Sequence, residues 1–278
     1  MDLKLLQDVP PWEWPEDAAA RFHQALTDKT ANPSDRLVAA ELAGDLVVMD
    51  DLLAGDLLGI AGGADETEEL RAKAAIGLGA VLEECDTTDF DEPLDFDDVP
   101  IAELTFYRIR TTLQKLFEAP DVPKLVRRKI LEAAVRSPQD WHRDAIRAAY
   151  SSGDRDWVLT GVFAMRWVRG FDDQIMEALG NPDLEIHAEA VMAAGNWSLD
   201  AAWHHVATLV ENTKTPKSLR LAAIEALGSI RPQEAAEVLI ELTDSSDEEI
   251  ADTAQEALLM AEGASFAGDD DEDEDSPF

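Results

Sequence analysis

Apolar and small residues recur along the chain with the 3.6-residue period of a helix, and one ten-residue pattern appears seven times. Three copies align without a gap: WVLTGVFAMR (157–166), IHAEAVMAAG (186–195) and LRLAAIEALG (219–228). The other copies are DRLVAAELAG (35–44), LRAKAAIGLG (70–79), VRRKILEAAV (126–135) and IADTAQEALL (250–259). They begin 35, 56, 31, 29, 33 and 31 residues apart, a spacing that indicates an internal repeat rather than chance similarity.

Each copy predicts one helix with a buried side. Positions 1, 5, 8 and 9 of the pattern are mostly apolar or small, and residues at this spacing lie on one face of an α-helix. Partner helices are predicted between the copies, for example in 200–210 and 234–243. The predicted fold is therefore all-α, an α-solenoid of stacked antiparallel helix pairs. Position 10 is glycine in four copies, where a left-handed glycine is expected to cap the helix: Gly44, Gly79, Gly195 and Gly228.

The sequence at 219–228 shows the core apolar-Arg-x-x-Ala-x-x-Ala-Leu-Gly almost intact. This core resembles the short HEAT-like repeats of the PBS-lyase type in bacterial proteins, and the resemblance covers roughly residues 30–262. It implies a helical scaffold, and it implies that the arginine at position 2 fixes the stacking of helices. Val158 and His187 replace that arginine in the copies at 157 and 186, so less uniform packing is expected there.

We therefore divide the chain into an N-terminal capping segment (1–30), a repeat region (31–262) with an acidic insert (83–100), and a disordered acidic tail (263–278). The insert holds nine acidic and no basic residues over 83–98, with three apolar residues among them: Phe90, Leu94 and Phe96. It is either a solvated loop whose aromatics pack on the adjacent helix, or a segment that docks a basic partner or blocks the protein's own binding groove. The tail has seven consecutive acids at 269–275, which predicts disorder.

The net charge of −36 restricts the classes of partner that can be expected. It argues against nucleic acid and against anionic membranes, because both attract basic surfaces. It permits a cationic partner, although solubility alone also explains it. The chain shows no signal-peptide pattern at its start and no run of about 20 apolar residues. Cys85 is the one cysteine, so no intramolecular disulfide is possible, and we expect a cytoplasmic protein.

The residues that usually carry catalysis or bind metal form no recognisable motif. None of the five histidines belongs to a HExxH sequence or to a histidine–cysteine cluster, and there is no GxGxxG sequence or P-loop. His204 and His205 are adjacent, so on a helix they point about 100° apart and cannot chelate one metal simply. HEAT-like deoxyhypusine hydroxylases carry His-Glu dipeptides for their iron, and this chain has none. We therefore predict no catalytic residue, no metal and no cofactor.

The resemblance implies that the second helix of each pair lines the concave face, where positions 3 and 7 point away from the core. In the middle copies these positions are apolar, and tryptophans flank them. We predict an apolar patch, rimmed by acids, that binds a helical or extended peptide. Tighter packing between divergent repeats is the alternative. The predicted patch residues are Leu159, Phe163, Trp167, Ala188, Met192, Trp197 and Leu221.

The predicted function is thus a non-catalytic protein-interaction scaffold that binds a basic or amphipathic protein. Two alternatives stay open. One is a PBS-lyase-like enzyme or chaperone. The other is a DNA mimic or binder of basic proteins that acts through the acidic tail and insert.

Overall fold

A computed structural model describes residues 3–88, 90 and 99–269, and within these ranges every regular element is a helix. The predicted all-α class is therefore confirmed. Three short 3-10 helices span Leu3–Leu6, Pro11–Glu13 and Asp200–Ala202. The α-helices are α1 (Ala18–Thr27), α2 (Pro33–Leu42), α3 (Asp51–Gly62), α4 (Glu68–Gly77), α5 (Gly79–Asp86), α6 (Glu103–Glu118), α7 (Lys124–Ala134), α8 (Asp140–Tyr150), α9 (Arg155–Ala164), α10 (Asp172–Ala178), α11 (Leu184–Asn196), α12 (Trp203–Glu211), α13 (Lys217–Ile230), α14 (Pro232–Thr243) and α15 (Glu248–Asp269).

The chain divides into two compact units, residues 1–143 and 144–278. In the first unit, consecutive helices pair as α1 with α2, α3 with α4, and α6 with α7. The second helix of each pair contacts the second helix of the next, so α2, α4 and α7 form a row. The short helix α5 is additional to the pairs and packs against α7. The core between the rows contains Phe22, Leu57, Leu82, Ile109 and Val126.

The second unit repeats this arrangement with α10 and α11, α12 and α13, and α14 and α15 as pairs. Here α9, α11, α13 and α15 form the row of second helices. The pattern predicted from the sequence agrees with the burial, since position 5 is buried in all seven copies. Ala190, Ala223 and Ala254 occupy it in the last three copies and are fully buried.

The glycines at position 10 do not cap helices, so that prediction is wrong. Gly195 and Gly228 lie inside α11 and α13, and among the described glycines only Gly153 and Gly170 have a positive φ. A Cβ on Gly195 would lie 2.8 Å from Ala226, and a Cβ on Gly228 would lie 2.7 Å from the carbonyl oxygen of Ala257. These glycines therefore allow neighbouring second helices to touch.

The arginine at position 2 joins the two helices of one pair. Arg36, Arg71 and Arg220 each donate a hydrogen bond of 2.8–3.0 Å to a backbone carbonyl ten residues earlier, at the end of the first helix. Carbonyl groups at a helix C-terminus lack partners within the helix, so this bond satisfies one of them. Arg127 instead lies over the ring of Phe117, again ten residues earlier, with 5.5 Å to the ring centroid. The arginine thus acts within a repeat, whereas the resemblance implied a role in stacking.

The insert and the tail lie largely outside the described residues, which omit 89, 91–98 and 270–278. The half-buried Phe90 is described, and its ring lies 5.8 Å from that of Phe106 on α6. This contact agrees with a loop whose aromatics pack on the adjacent helix. The last helix continues to Asp269, past residue 263, where the tail was expected to begin. Among the described helices, none has both the length and the apolar composition needed to cross a bilayer.

Candidate functional site

The predicted patch residues lie on or just after the second helices of the second unit. Leu159 and Phe163 are on α9, Ala188 and Met192 are on α11, and Leu221 is on α13. Trp167 and Trp197 follow the ends of α9 and α11. All seven side chains are half-buried, so none belongs to the fully exposed surface.

Two of the predicted aromatic residues have partners inside the unit. The indole Nε1 of Trp197 donates a hydrogen bond of 2.7 Å to the carbonyl oxygen of Met165, and the Arg169 guanidinium lies 4.5 Å from the Trp197 ring. The Arg166 guanidinium lies 5.6 Å from the ring of Phe163. These contacts favour a structural contribution from Trp197, because they connect the end of α11 to the segment that follows α9.

A groove of about 260 Å³ runs along the row formed by α11, α13 and α15. We call it the second-unit groove. Of the seven predicted residues, Met192 lines it. Its lining residues are Met192, Gly195, Asn196, Glu225, Ala226, Ser229, Thr253, Glu256, Ala257 and Met260.

The lining follows the repeat. Met192, Glu225 and Glu256 all occupy position 7 of their copies, the position predicted to point away from the core. Asn196, Ser229 and Met260 occupy the equivalent of position 11, four residues later on the same side of the helix. This second set was not predicted, because the repeated pattern spans ten residues and position 11 lies beyond it. The floor is formed where the second helices touch at Gly195 and Ala226.

The groove is acidic where it approaches α15. Partial desolvation raises the pKa of the Glu225 carboxyl, Arg166 opposes this rise, and the nearby Glu256 adds to it. Arg166 itself pairs with Glu189 at 3.3 Å. Among the described residues, no cation forms an ion pair with Glu225 or Glu256. One end of the groove thus holds two carboxylates whose charge is not neutralised by direct contact.

An acidic surface continues from the groove along the start of α15. A second depression shares Thr253 and Glu256 with the groove and contains further acids: Asp247, Glu248, Glu249 and Asp252. Lys217 is its one basic lining residue and pairs with Asp247 and Glu249, both at 2.7 Å. Leu259 and Met260 on the same helix are 63% and 65% exposed. This end of the second unit therefore combines apolar side chains with excess negative charge.

The remaining side chains that could bind a metal or take part in catalysis are isolated or buried. The described residues contain no group of three or more histidine, cysteine, aspartate or glutamate side chains arranged to hold a metal ion. Burial raises the pKa of the Cys85 thiol to about 11, which makes it a weak nucleophile at neutral pH. Burial lowers the pKa of His142 to about 3. His187 and His205 form a hydrogen-bonded pair with 2.8 Å between their Nε2 atoms.

These helix pairs, three of which are joined by an arginine of the second helix, have the architecture of an α-solenoid of HEAT-like repeats. Residues 173–259 match the family model described as HEAT repeats. HEAT repeats generally mediate interactions between proteins. The match does not distinguish the bacterial PBS-lyase type of repeat.

No curated protein matches the chain. Among solved structures, human deoxyhypusine hydroxylase in complex with glycerol is similar at 16% identity and a TM-score of 0.41, over 91% of this chain and 87% of that one. One engineered protein is similar at 19% identity and a TM-score of 0.41, over 99% of this chain and 84% of that one. Another engineered protein is similar at 18% identity and a TM-score of 0.35, over 90% and 98% of the two chains.

Proposed function

We propose that this protein is a non-catalytic interaction scaffold whose second-unit groove binds a basic amphipathic helix of another protein. The observation that carries the proposal is the combination of two methionines with two carboxylates that lack an ion-pair partner among the described residues. The proposal includes a cytoplasmic location and no nucleic-acid or membrane partner, which rests on the charge and cysteine content of the sequence. It also includes no cofactor, which rests on the lack of a cofactor-binding motif in the sequence.

The apolar part of the groove suits a helix rather than one fixed ligand. Met192 and Met260 stand on two sides of a floor of glycine and alanine. Methionine side chains are flexible and polarisable, and they adapt to different apolar partners. An amphipathic helix that lays its apolar face in a groove is a recurring mode of recognition. A large aliphatic residue of the partner would therefore lie between the two methionines.

The charged part of the groove selects a cation. Partial desolvation already disfavours the ionised form of Glu225, so a lysine or arginine beside it restores a favourable interaction. The negative charge of the whole chain would also raise the rate of encounter with a basic partner at low salt. The half-buried Phe163 occupies position 7 one repeat earlier and remains a predicted contact, together with the other patch residues on α9, α11 and α13.

The test uses two labelled helical peptides, one of leucine and lysine and one of leucine and glutamate, with binding measured by fluorescence anisotropy. The full chain is expected to bind the basic peptide and not the acidic one. Glu225→Gln with Glu256→Gln should weaken binding by about tenfold or more, since truncating paired charges at an interface costs about 2 kcal/mol or more. Met192→Ala with Met260→Ala should also weaken it.

The control is Glu237→Gln with Glu241→Gln, which removes the same charge from two exposed positions of α14 outside the groove. Equal losses in the groove variant and the control would mean that binding follows net charge, and the groove proposal would then be wrong. Loss of binding only when residues 270–278 are removed would favour the acidic tail instead.

A further inference from the structure

A separate cavity of about 650 Å³ lies in the first unit, between the N-terminal segment and the ends of α2 and α4. We call it the first-unit cavity. Its apolar lining comes from the N-terminal segment on one side and the two helices with their following residues on the other: Leu6, Val9, Pro11, Trp14, Leu42, Leu46, Ile76 and Ala80. The sequence predicted a capping segment and the first repeats in this region, but no cavity.

The walls of the cavity are held in place by specific contacts. The indole Nε1 of Trp14 donates hydrogen bonds to the carbonyl oxygens of Leu6 at 3.1 Å and Val9 at 2.9 Å. The Trp14 ring packs edge-on against Phe22, with 5.4 Å between the ring centroids. Leu6 is 1% exposed. The N-terminal segment is thus part of the packed unit, and the cavity has a fixed wall on that side.

The floor of the cavity lacks side chains for a packing reason. A Cβ on Gly44 would lie 2.7 Å from the Cα of Gly77, so the ends of α2 and α4 meet through bare backbone. Glycine at both positions allows this approach and leaves the space above them unfilled. The space is therefore a consequence of how two repeats pack.

Large apolar side chains next to the lining residues in sequence are exposed. Trp12 is 77% exposed, Val47 is 61% exposed and Leu5 is 54% exposed. Each of these is adjacent in sequence to a lining residue, and Leu46, which lines the cavity, is 40% exposed. Exposed apolar patches of this kind mark interaction sites, and tryptophan is enriched among residues that dominate binding energy.

The charges around the cavity are balanced. Lys73 pairs with Glu41 at 2.6 Å, and Arg136 pairs with Glu83 at 2.8 Å. The lining contains two basic and two acidic residues in a chain whose net charge is −36. The cavity therefore offers neither the excess negative charge that a basic partner needs nor a strongly basic surface for an acidic one. An apolar side chain fits it.

We propose that the first-unit cavity receives Trp12 from a second copy of this chain. Pro11 lines the cavity and the highly exposed Trp12 follows it in sequence, so the N-terminal segment supplies both part of the cavity wall and a tryptophan available to a partner. A surface with this arrangement is self-complementary, and two copies related by a two-fold axis exchange their tryptophans. Pro10 and Pro11 restrict the backbone before Trp12, which reduces the entropy lost when the side chain docks.

Dimerisation by this surface should respond to salt in the opposite sense to peptide binding in the second-unit groove. Two chains of charge −36 repel each other, and salt screens that repulsion while leaving the apolar contact intact. Binding of a basic peptide gains from attraction, which salt weakens. Salt concentration therefore distinguishes dimerisation at the first-unit cavity from peptide binding in the second-unit groove.

The experiment is sedimentation velocity of the full chain over a range of concentrations, at low and at moderate sodium chloride. We expect a monomer–dimer equilibrium that shifts towards dimer with concentration and with salt. Trp12→Ala should weaken the dimer by about tenfold or more, as removal of a central tryptophan does at other interfaces. Leu46→Asp, which places a charge at the edge of the cavity, should have a similar effect.

Leu184→Ala is the matched control, because Leu184 is a 49% exposed leucine of the second unit. It should leave dimerisation unchanged, and Trp12→Ala should leave binding of the basic peptide unchanged. Mixing Trp12→Ala with Leu46→Asp should give more dimer than either variant alone, since one tryptophan and one intact cavity remain in the mixed pair. A chain that stays monomeric at every concentration and salt level, or a dimer insensitive to Trp12→Ala, would overturn the proposal.

Discussion

Three arginines at position 2 of the repeated segment each close one helix pair by binding the end of its first helix. In the second unit, Arg220 on α13 donates from Nε to the carbonyl oxygen of Val210 at the end of α12, at 2.8 Å. The donor is charged and half-buried, and the carbonyl has no partner within its own helix. A charge-assisted bond of this kind contributes more to stability than an exposed ion pair does.

Arg220→Met should therefore lower the free energy of unfolding by about 1–3 kcal/mol, because it leaves the Val210 carbonyl without its donor while keeping an aliphatic stem. Urea unfolding should show a lower midpoint with an unchanged slope. Arg147→Met is the control, since Arg147 makes an exposed ion pair with Asp144, and it should change stability by about 0.5 kcal/mol or less. Similar losses in both variants would contradict a special role for position 2.

Replacing a glycine inside a helix by alanine raises or lowers the free energy of unfolding, depending on what lies next to the added Cβ. Glycine-to-alanine changes in an exposed helix usually stabilise it by about 0.5–1 kcal/mol. Gly59→Ala on α3 should do so, because no atom lies within 4 Å of the added Cβ. Gly228→Ala on α13 should instead destabilise by about 1–3 kcal/mol, since its Cβ would lie 2.7 Å from the carbonyl oxygen of Ala257 on α15. Thermal or urea unfolding of the two variants measures the sign directly, and stabilisation in both would show that α13 and α15 do not depend on this close contact.

For the helices, the sequence predicted which positions of the ten-residue pattern face the core and which face away from it. The burial of position 5 follows from helical periodicity alone, and the structure agrees in all seven copies. For the outward position 7 the agreement is partial, because Glu225 and Glu256 are exposed whereas Glu132 at the same position is buried. The role of Gly195 and Gly228 did not follow, because a glycine in a sequence signals either a left-handed backbone or a close neighbour. The first-unit cavity could not be predicted either, since one wall is an N-terminal segment without the repeat pattern and its floor depends on the meeting of Gly44 and Gly77.

A histidine pair connects α11 to the first helix of the next repeat. One Nε2 of His187 and His205 donates to the other at 2.8 Å, which requires that the accepting ring be neutral, so the bond is lost when both rings are protonated. Burial lowers the pKa of both residues, and the proximity of His205 lowers that of His187 further. The unfolded chain therefore binds protons more readily than the folded chain. The stabilisation is complete above the usual histidine pKa of about 6.5 and is lost as the pH falls below it.

Unfolding free energy should consequently be lower near about pH 5 than above about pH 7, and His187→Gln with His205→Gln should reduce this dependence. The buried His142 contributes with the same sign, because its pKa is lowered to about 3, so part of the dependence should remain in the double variant. His204→Gln, which removes an exposed histidine of α12 outside the pair, is the control for the loss of a histidine as such. Urea unfolding at a series of pH values separates these cases. An unchanged pH dependence in the double variant would mean that the pair does not couple protonation to folding.

In the molecule as a whole, acidic side chains outnumber lysine and arginine by 36, so carboxylates would remain in excess even if every cation formed an ion pair. Such self-repulsion destabilises a folded chain. Sodium chloride should therefore raise the urea midpoint, with most of the rise complete once the screening length has fallen to about 8 Å near 0.15 M salt. Removing residues 270–278 takes away six carboxylates and should reduce the salt response. The matched control keeps the same length and replaces those six acids with their amides. If both variants respond to salt as the full chain does, the repulsion that salt relieves comes from the repeat units rather than from the acidic end of the chain.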